Sequence, residues 1–549
     1  MEAFTNVGYL ALWMILLLSI SRENEGSQYN RNRRSENEAR GYTIEKKNGK
    51  YFVVFTNRQT NRASFDDPNW KNQQYLDLGS SRIRAAHRID DVWKKGYTGK
   101  NITVAIVDDG IKYTHKEFEG RYLPQLSYDY VDQDSDPTPS DGHGTNCAGV
   151  IAGAANNKLC GVGVAYEANI AGIRLIDRGL PNDTDVAKAF YPFDGHKIDI
   201  FSNSWGPPDN GYVIAGPGPL SLEALRKGAN EGRGGRGSIY VFSAGNGGFF
   251  GDSCAFNGFV NSIYTIPVGA VNQNGRPLYS SEACSAVMTS AYAVNLGRGF
   301  GATSGATALV SGVIALALEA KKTLTWRQVQ HLIVRSSSSD VIDRSVKWTV
   351  NKAGFRVSNK VGFGFLDASR MVENAEKLTT LPRQIKCKIE LKINQKIVLL
   401  RGKKNSFAIE VGRDQCRGGV INHLEHVEAR FSFRYFRRGV IGAYIISPGG
   451  TESQVIFPRS LDAYVGERKY KNLSTVSVHF WGESSEGTWT VTLRNDLPSF
   501  PESNQYEARL FGFNLTLYGT AQKPPFPEIP KKNLQEGDKP RVDGKFYSV

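Results

Sequence analysis

Long apolar runs are almost absent from this chain of 549 residues. Residues 7–20 form the one such run, short for a membrane span and placed where a secretory leader belongs, although Glu2 stands where a basic residue is usual. No other run is long enough to cross a bilayer, so no transmembrane anchor is expected, and the mature chain is expected in the secretory-pathway lumen or secreted. Cysteine is also scarce, with six residues, which excludes a disulfide-built scaffold while leaving room for a few pairs in an oxidising compartment. Zinc-finger spacing, RNA-binding signatures and basic helices are missing. The net charge of +14 is scattered and does not form a nucleic-acid interface, so no nucleic-acid partner is expected. Binding to a polyanion remains the alternative meaning of that charge.

What is present is ordinary globular composition, 40% hydrophobic and 22% charged, in a chain long enough for two or three domains. Residues 1–22 are expected to be a signal peptide and 23–66 a short, polar, propeptide-like segment. The latter holds the basic cluster Arg31-Asn32-Arg33-Arg34, either a processing site or a solvated charge run. Between 67 and 377 apolar runs alternate with small-residue helical stretches. Strands are expected at 102–107, 198–202 and 239–243, and helices at 148–155, 222–230 and 307–320. That alternation predicts an α/β domain with a parallel sheet flanked by helices. From 378 to 520 period-two patterns such as Phe431/Phe433/Tyr435 and Trp489/Val491/Leu493 predict a separate all-β sandwich or jelly roll. Residues 521–549 are Pro- and Lys-rich and are expected to be a disordered tail. Four Asn-x-Ser/Thr triplets begin at Asn101, Asn182, Asn472 and Asn514, and mark candidate glycosylation sites.

Four segments carry chemistry. Asp108 and Asp109 end the strand 102–107, and carboxyl ends of parallel strands are where open α/β sheets keep their sites. His143 sits between Gly142 and Gly144 just before a helix, a general-base candidate where a backbone could approach closely. Ser304 stands near the start of another helix, either as a nucleophile beside unpaired N–H groups or as an N-cap. Asn246, in a Gly-rich loop after a strand, offers an amide donor for an oxyanion. The chain order Asp, His, Ser is one of the convergent orders of the hydrolase triad.

These segments, VDDGI, HGTNCAGVIAGAANNKLCGVGVAY, SNSWGP, GRGGRGSIYVFSAGNGG, SSEAC and LTWRQVQHL among them, resemble the kexin/furin-type proprotein convertases of the subtilisin superfamily. The resemblance runs from about 67 to 520, and its second part is similar to that family's P domain. It implies a serine endopeptidase that cuts after basic residues, with Asp108, His143 and Ser304 as triad and Asn246 completing the oxyanion hole. The alternative is a catalytically impaired relative acting as a binding protein. The resemblance also implies calcium, held by Asp67, Glu117 and Asn157 at one site, Asp129, Asp134 and Asp136 at a second, and Asp209, Asp252 and Glu282 at a third. Its substrates would be proteins or peptides with basic residues before the cut, contacted by Asp109, Ser204, Trp205, Gly206, Asp209 and Asn257, and the chain would act as a monomer.

The chain departs from the family at several of these positions. Lys188 and Ala215 stand where the family has acids for a more distant basic residue. Asn257 replaces a deep pocket carboxylate and Phe259 a tyrosine. A lysine facing an arginine repels it, so the requirement for basic residues is expected to be relaxed. Ala302 replaces the glycine two residues before the nucleophile, Ala308 replaces a proline, and the segment between Cys284 and Ser304 is short. By resemblance Cys254 pairs with Cys284 and Cys387 with Cys416. Cys160 loses its partner, and Cys147 is a free thiol.

Overall fold

The computed structural model describes residues 42–47, 50–55, 64–73, 75–76, 87–177, 179–192, 197–294, 300–391, 397–399, 402–462, 465–495 and 508–526. The expected signal peptide, the Arg31–Arg34 cluster and residues 527–549 lie outside them. The chain forms two compact units, Met1–Arg62 and Ala63–Val549. In the first, β1 (Tyr42–Lys47) and β2 (Lys50–Phe55) pair as an antiparallel hairpin.

The second unit holds a nine-stranded sheet ordered β10-β13-β9-β8-β7-β6-β3-β5-β4. Its strands are β3 (Thr103–Asp108), β4 (Tyr128–Asp129), β5 (Asn169–Arg174), β6 (Ile200–Asn203), β7 (Ile239–Ser243), β8 (Thr265–Val271), β9 (Thr289–Tyr292), β10 (Ser337–Ser338) and β13 (Phe365–Leu366). All pairs are parallel except β10–β13. The strands β3, β6, β7, β8 and β9 are buried throughout, as unbroken apolar and small-residue runs demand when both faces are covered. Among the described residues, seven helices accompany the sheet: α1 (Ile89–Lys94), α2 (His143–Ala152), α3 (Asp183–Phe190), α4 (Pro219–Gly235), α5 (Ala302–Ala320), α6 (Trp326–Ser336) and α7 (Ala368–Lys377). A short hairpin of β11 (Thr349–Val350) and β12 (Arg356–Val357) lies between α6 and β13.

The chain steps from β3 to β5 and β4 on one side, then returns to β6 on the other. The order therefore reverses between β3 and β6, and their carboxyl ends flank a crevice. Both site helices begin earlier than the sequence predicts. Helix α2 starts at His143 rather than near 148, and α5 at Ala302 rather than 307. Glycine and threonine near the starts are poor helix formers in isolation, and packing overrides that preference. Helix α5 has a length and composition that could cross a membrane, but 89% of that window is buried as the central core helix.

The remaining strands are β14 (Ile385–Leu391), β15 (Ile397–Leu399), β16 (Lys404–Val411), β17 (His423–Arg437), β18 (Ile441–Ile446), β19 (Glu452–Ile456), β20 (Val465–Ser477), β21 (Gly487–Asn495) and β22 (Ala508–Thr520). They form two antiparallel sheets, β14-β22-β17-β20 with β15 beside β22, and β16-β21-β18-β19. Phe431, Phe433 and Tyr435 face inward, as do Trp489, Val491 and Leu493. This is the period-two pattern of a half-buried sheet.

Two expected boundaries shift. Phe65 packs edge-on against Trp70 and Trp93, so the second unit begins before residue 67. At the other end Phe526 is buried and stacks on His331 of α6, so the first residues of the expected tail are folded against the α/β part. Cys254 is bonded to Cys284 and Cys387 to Cys416, while Cys147 and Cys160 are free.

Candidate active site

Asp108 is the last residue of β3, 4% exposed, and its Oδ1 lies 2.7 Å from Nδ1 of His143 at the first position of α2. Gly142, at φ 95, makes the left-handed turn into that helix. Gly144 is required for a different reason: a Cβ there would stand 2.2 Å from the Gly110 carbonyl and 2.9 Å from the Asp108 Cβ. Gly142 thus serves the turn, and Gly144 the close approach of helix to strand end.

Burial opposes a charge on the His143 imidazole. The hydrogen bond and charge of Asp108, with Asp109 and Asp141 behind it, outweigh that and hold its pKa up at about 9. Phe300 covers the ring with centroids 5.4 Å apart. The buried Cys147 thiol lies within 4.8 Å of the ligating atoms of Asp108 and His143, and burial holds it well above the ordinary thiol range. It is therefore a packing group rather than a nucleophile.

Ser304 is 5% exposed in the first turn of α5, whose N-cap is Gly301, so the N-cap reading falls. Its hydroxyl donates to the Ser204 carbonyl at 3.4 Å, a long contact, and among the described residues it makes no hydrogen bond to His143. Ser204 in turn donates to the Ser304 carbonyl at 3.3 Å, which ties the end of β6 to the start of α5. Catalytic hydrogen bonds are often long or poorly aligned before a substrate binds.

Thr303 holds Asn246. Its N–H and hydroxyl both donate to Asn246 Oδ1, at 3.2 and 2.7 Å, so the carbonyl end is taken and the amide nitrogen is the end left to donate. Sequence reading missed Thr303, although its place beside Ser304 was the available signal. Ala302, where the family glycine is expected, sits at φ 54, a left-handed conformation costly for a residue with a Cβ.

Asp109 is not free for a substrate side chain. Its Oδ2 accepts from the N–H groups of Gly142 and His143 at 2.9 and 3.0 Å, and its Oδ1 from Gly144 at 2.6 Å. The carboxylate is bound up in starting α2 and is 7% exposed. Burial, a hydrogen bond with Asp141 and the charge of Asp108 push it up to about 6.

Beside Asn246 lies a cavity of about 240 Å³, lined by Ser204, Trp205, Gly206, Asp209, Asn257 and Glu282 among others. Phe259 packs beneath it against Trp205, with ring centroids 4.9 Å apart. Asn257 turns its Oδ1 to the N–H groups of Phe259 and Val260, at 3.0 and 3.4 Å, so it offers the cavity a donor where a carboxylate would offer charge. Asp209 remains as the acid next to Asn246, whose N–H donates to its Oδ1 at 3.0 Å.

The three expected metal sets differ. Glu282 is driven well above the carboxylate range by burial and by the charges of Asp252 and Asp209, an environment that a bound cation would relieve. Glu117 has a buried Oε1 with no hydrogen-bond partner, while Asn157 Nδ2 donates to its Oε2 at 3.2 Å and Asp67 accepts from the N–H groups of Asn156 and Asn157. Such acceptors suit a hard cation such as calcium. At the remaining set, Arg174 donates to Asp129 Oδ2 at 2.6 Å. The carboxylates of Asp134 and Asp136 accept from N–H groups two residues on. Arg174 thus offsets part of the negative charge of that set.

Residues 99–364 match the subtilase family, and residues 424–517 match the proprotein convertase P-domain. Human proprotein convertase subtilisin/kexin type 6 is 39% identical over 84% of this chain and 49% of its own length. Rat furin is 38% identical over 83% of this chain and 58% of its own length. The chain thus spans about half the length of the curated relatives it matches. Among solved structures, the serine protease of Aeromonas sobria is similar with a TM-score of 0.73 at 20% identity, covering 84% of this chain and 97% of that one, a likeness of fold. With both matched regions in sequence and relatives aligned across most of its length, this chain carries a subtilase-family domain followed by a proprotein convertase P-domain.

Proposed function

We propose that the chain is a serine endopeptidase of the secretory pathway that cleaves polypeptides after basic residues. The observation that carries this reading is the 2.7 Å contact between buried Asp108 and His143, facing a helix start that bears Ser304 beside Asn246. Ser304 Oγ attacks the scissile carbonyl once its hydroxyl turns from Ser204 to the imidazole. His143 accepts that proton and returns it to the leaving amine. Asp108 holds the tautomer and stabilises the imidazolium, and the Asn246 amide donates to the oxyanion.

Asp209 attracts the basic side chain before the cut, and Asn257 weakens the preference by offering a donor. Lys188 and Ala215 remove attraction for a more distant arginine. The Asp209/Asp252/Glu282 and Asp67/Glu117/Asn157 sets would hold calcium, which supplies positive charge that fixes the surrounding loops.

The test is cleavage of a fluorogenic peptide ending in Arg. Cleavage is expected in wild type, lost in Ser304→Ala and lost with EDTA, and little affected by the residue four before the cut. A wild-type chain that neither cleaves nor reacts with a fluorophosphonate would overturn the proposal.

A further inference from the structure

We propose that Arg459, carried by the antiparallel domain, is a positioning residue for the cavity beside Asn246. The inference rests on the reading of that cavity as the receptor for the basic side chain before the cut.

Arg459 follows β19 and is fully buried. Its Nη1 donates to Asp252 Oδ1 at 3.0 Å and to the Val213 carbonyl at 2.8 Å. Its guanidinium carbon lies 3.8 Å from the centroid of the Phe256 ring. Val213, Asp252 and Phe256 all line the 240 Å³ cavity. One side chain from the neighbouring domain therefore braces three of its walls.

The brace is itself held. Arg459 Nη2 donates to Asp462 Oδ2 at 2.7 Å, and the same carboxylate accepts from Arg438 at 2.6 Å. Arg438 also donates to the Tyr212 carbonyl, next to Val213. The Arg459 N–H donates to the Gly439 carbonyl at 2.8 Å, and the Gly439 N–H to the Asp462 carbonyl at 3.1 Å.

Chemistry explains why arginine is needed. Asp252 already accepts from the N–H groups of Gly211 and Ser253, at 2.7 and 2.8 Å, and stands beside Asp209 and Glu282. A planar guanidinium can bond Asp252, a carbonyl and Asp462 at once while stacking on Phe256. A lysine ammonium cannot match that fork. Loss of the brace frees Val213 and Phe256 to move, and the cavity loses the shape that separates one long basic side chain from another. Ser304, His143 and Asp108 are not touched by Arg459.

The experiment compares the full-length wild type with Arg459→Lys, Arg459→Gln and Asp462→Asn. Two quantities are read: the ratio of kcat/KM for matched peptides ending in Arg or Lys, and the rate of labelling by a small fluorophosphonate. The ratio does not depend on how much of a preparation is folded. The expected result is a KM increase on the order of tenfold for the better substrate, with the Arg/Lys ratio drifting toward one and labelling within about twofold of wild type. Should Arg459→Gln fail to fold, Arg459→Lys keeps a cation and Asp462→Asn keeps the guanidinium, and both carry the same readout. An unchanged ratio in every variant that labels overturns the proposal alone. A wild type that labels but shows no cleavage after basic residues overturns the underlying reading and this inference with it.

Discussion

The parallel-sheet part and the antiparallel part bury polar groups for different ends. In the first, charged side chains gather where strands stop: Asp108 and Asp109 at the end of β3, and Asp209, Asp252 and Glu282 around the cavity, with Asp109 and Glu282 held above their ordinary proton affinity by burial. In the second, buried charges meet partners across the boundary. Glu425, 2% exposed, accepts from Arg327, from His331 at 2.9 Å and from Gln384 at 2.6 Å. Burial alone would raise that carboxyl, yet the bonds and charges of His331 and Arg327 hold it below the usual carboxylate range. Acids clustered at strand ends, two of them with raised proton affinity, mark the candidate site, and an acid paired across the boundary marks the support.

The largest effect expected sharpens that division. Ser304→Ala should lower kcat by roughly a million-fold, while the urea unfolding midpoint stays near wild type. A comparable drop in stability would mean that Ser304 is structural. Glu425→Ala should do the reverse, costing about 3–5 kcal/mol because Arg327 and His331 are left buried without their acid. Urea denaturation measures it, and an unchanged midpoint would place the support elsewhere.

Acidity separates the parts again. Peptidase activity needs a neutral His143, so kcat/KM should rise with pH through a value well above that of an ordinary imidazole, toward about 9. Asp109→Asn removes one of the charges holding it up and should draw that limb to lower pH. On the other side, burial depresses His426 and His479 to about 4, against about 6.5 when unfolded. Their neutral forms belong to the folded chain. The stability they confer is complete above about pH 6.5 and is lost as pH falls through about 4. Unfolding midpoints measured from pH 7 to pH 4 test this, and a flat profile would contradict it. The smallest effect lies at φ 54: Ala302→Gly should stabilise by about 1 kcal/mol, read as a rise in melting temperature, because glycine adopts that conformation without strain.

Much of this was legible in the residue pattern. The run 102–107 announced a strand covered on both faces, and β3 is buried end to end. The alternation of Phe431, Phe433 and Tyr435 announced a sheet with one buried face. Helix starts were misplaced because Gly142, Gly144 and Thr303 carry little helical preference of their own. Asp109 was misread because an acid at a strand end looks alike whether it faces substrate or three backbone N–H groups. The partner of Asp129, Arg174, lies 45 residues beyond it and was not foreseen.

Periodicity and local motif chemistry are properties of neighbouring residues, so the order of residues alone determined the two-part architecture, the switch from helix–strand alternation to period-two strands, and the candidates Asp108, His143, Ser304 and Asn246. Pairing across distance is a property of the packed chain. Only the tertiary structure decided that Thr303 takes the Asn246 carbonyl, that Asp109 serves a helix start, and that Arg459 reaches Asp252 across 207 positions. The physical reason is that a buried charge must find a partner wherever folding brings one, and no local pattern records where that is.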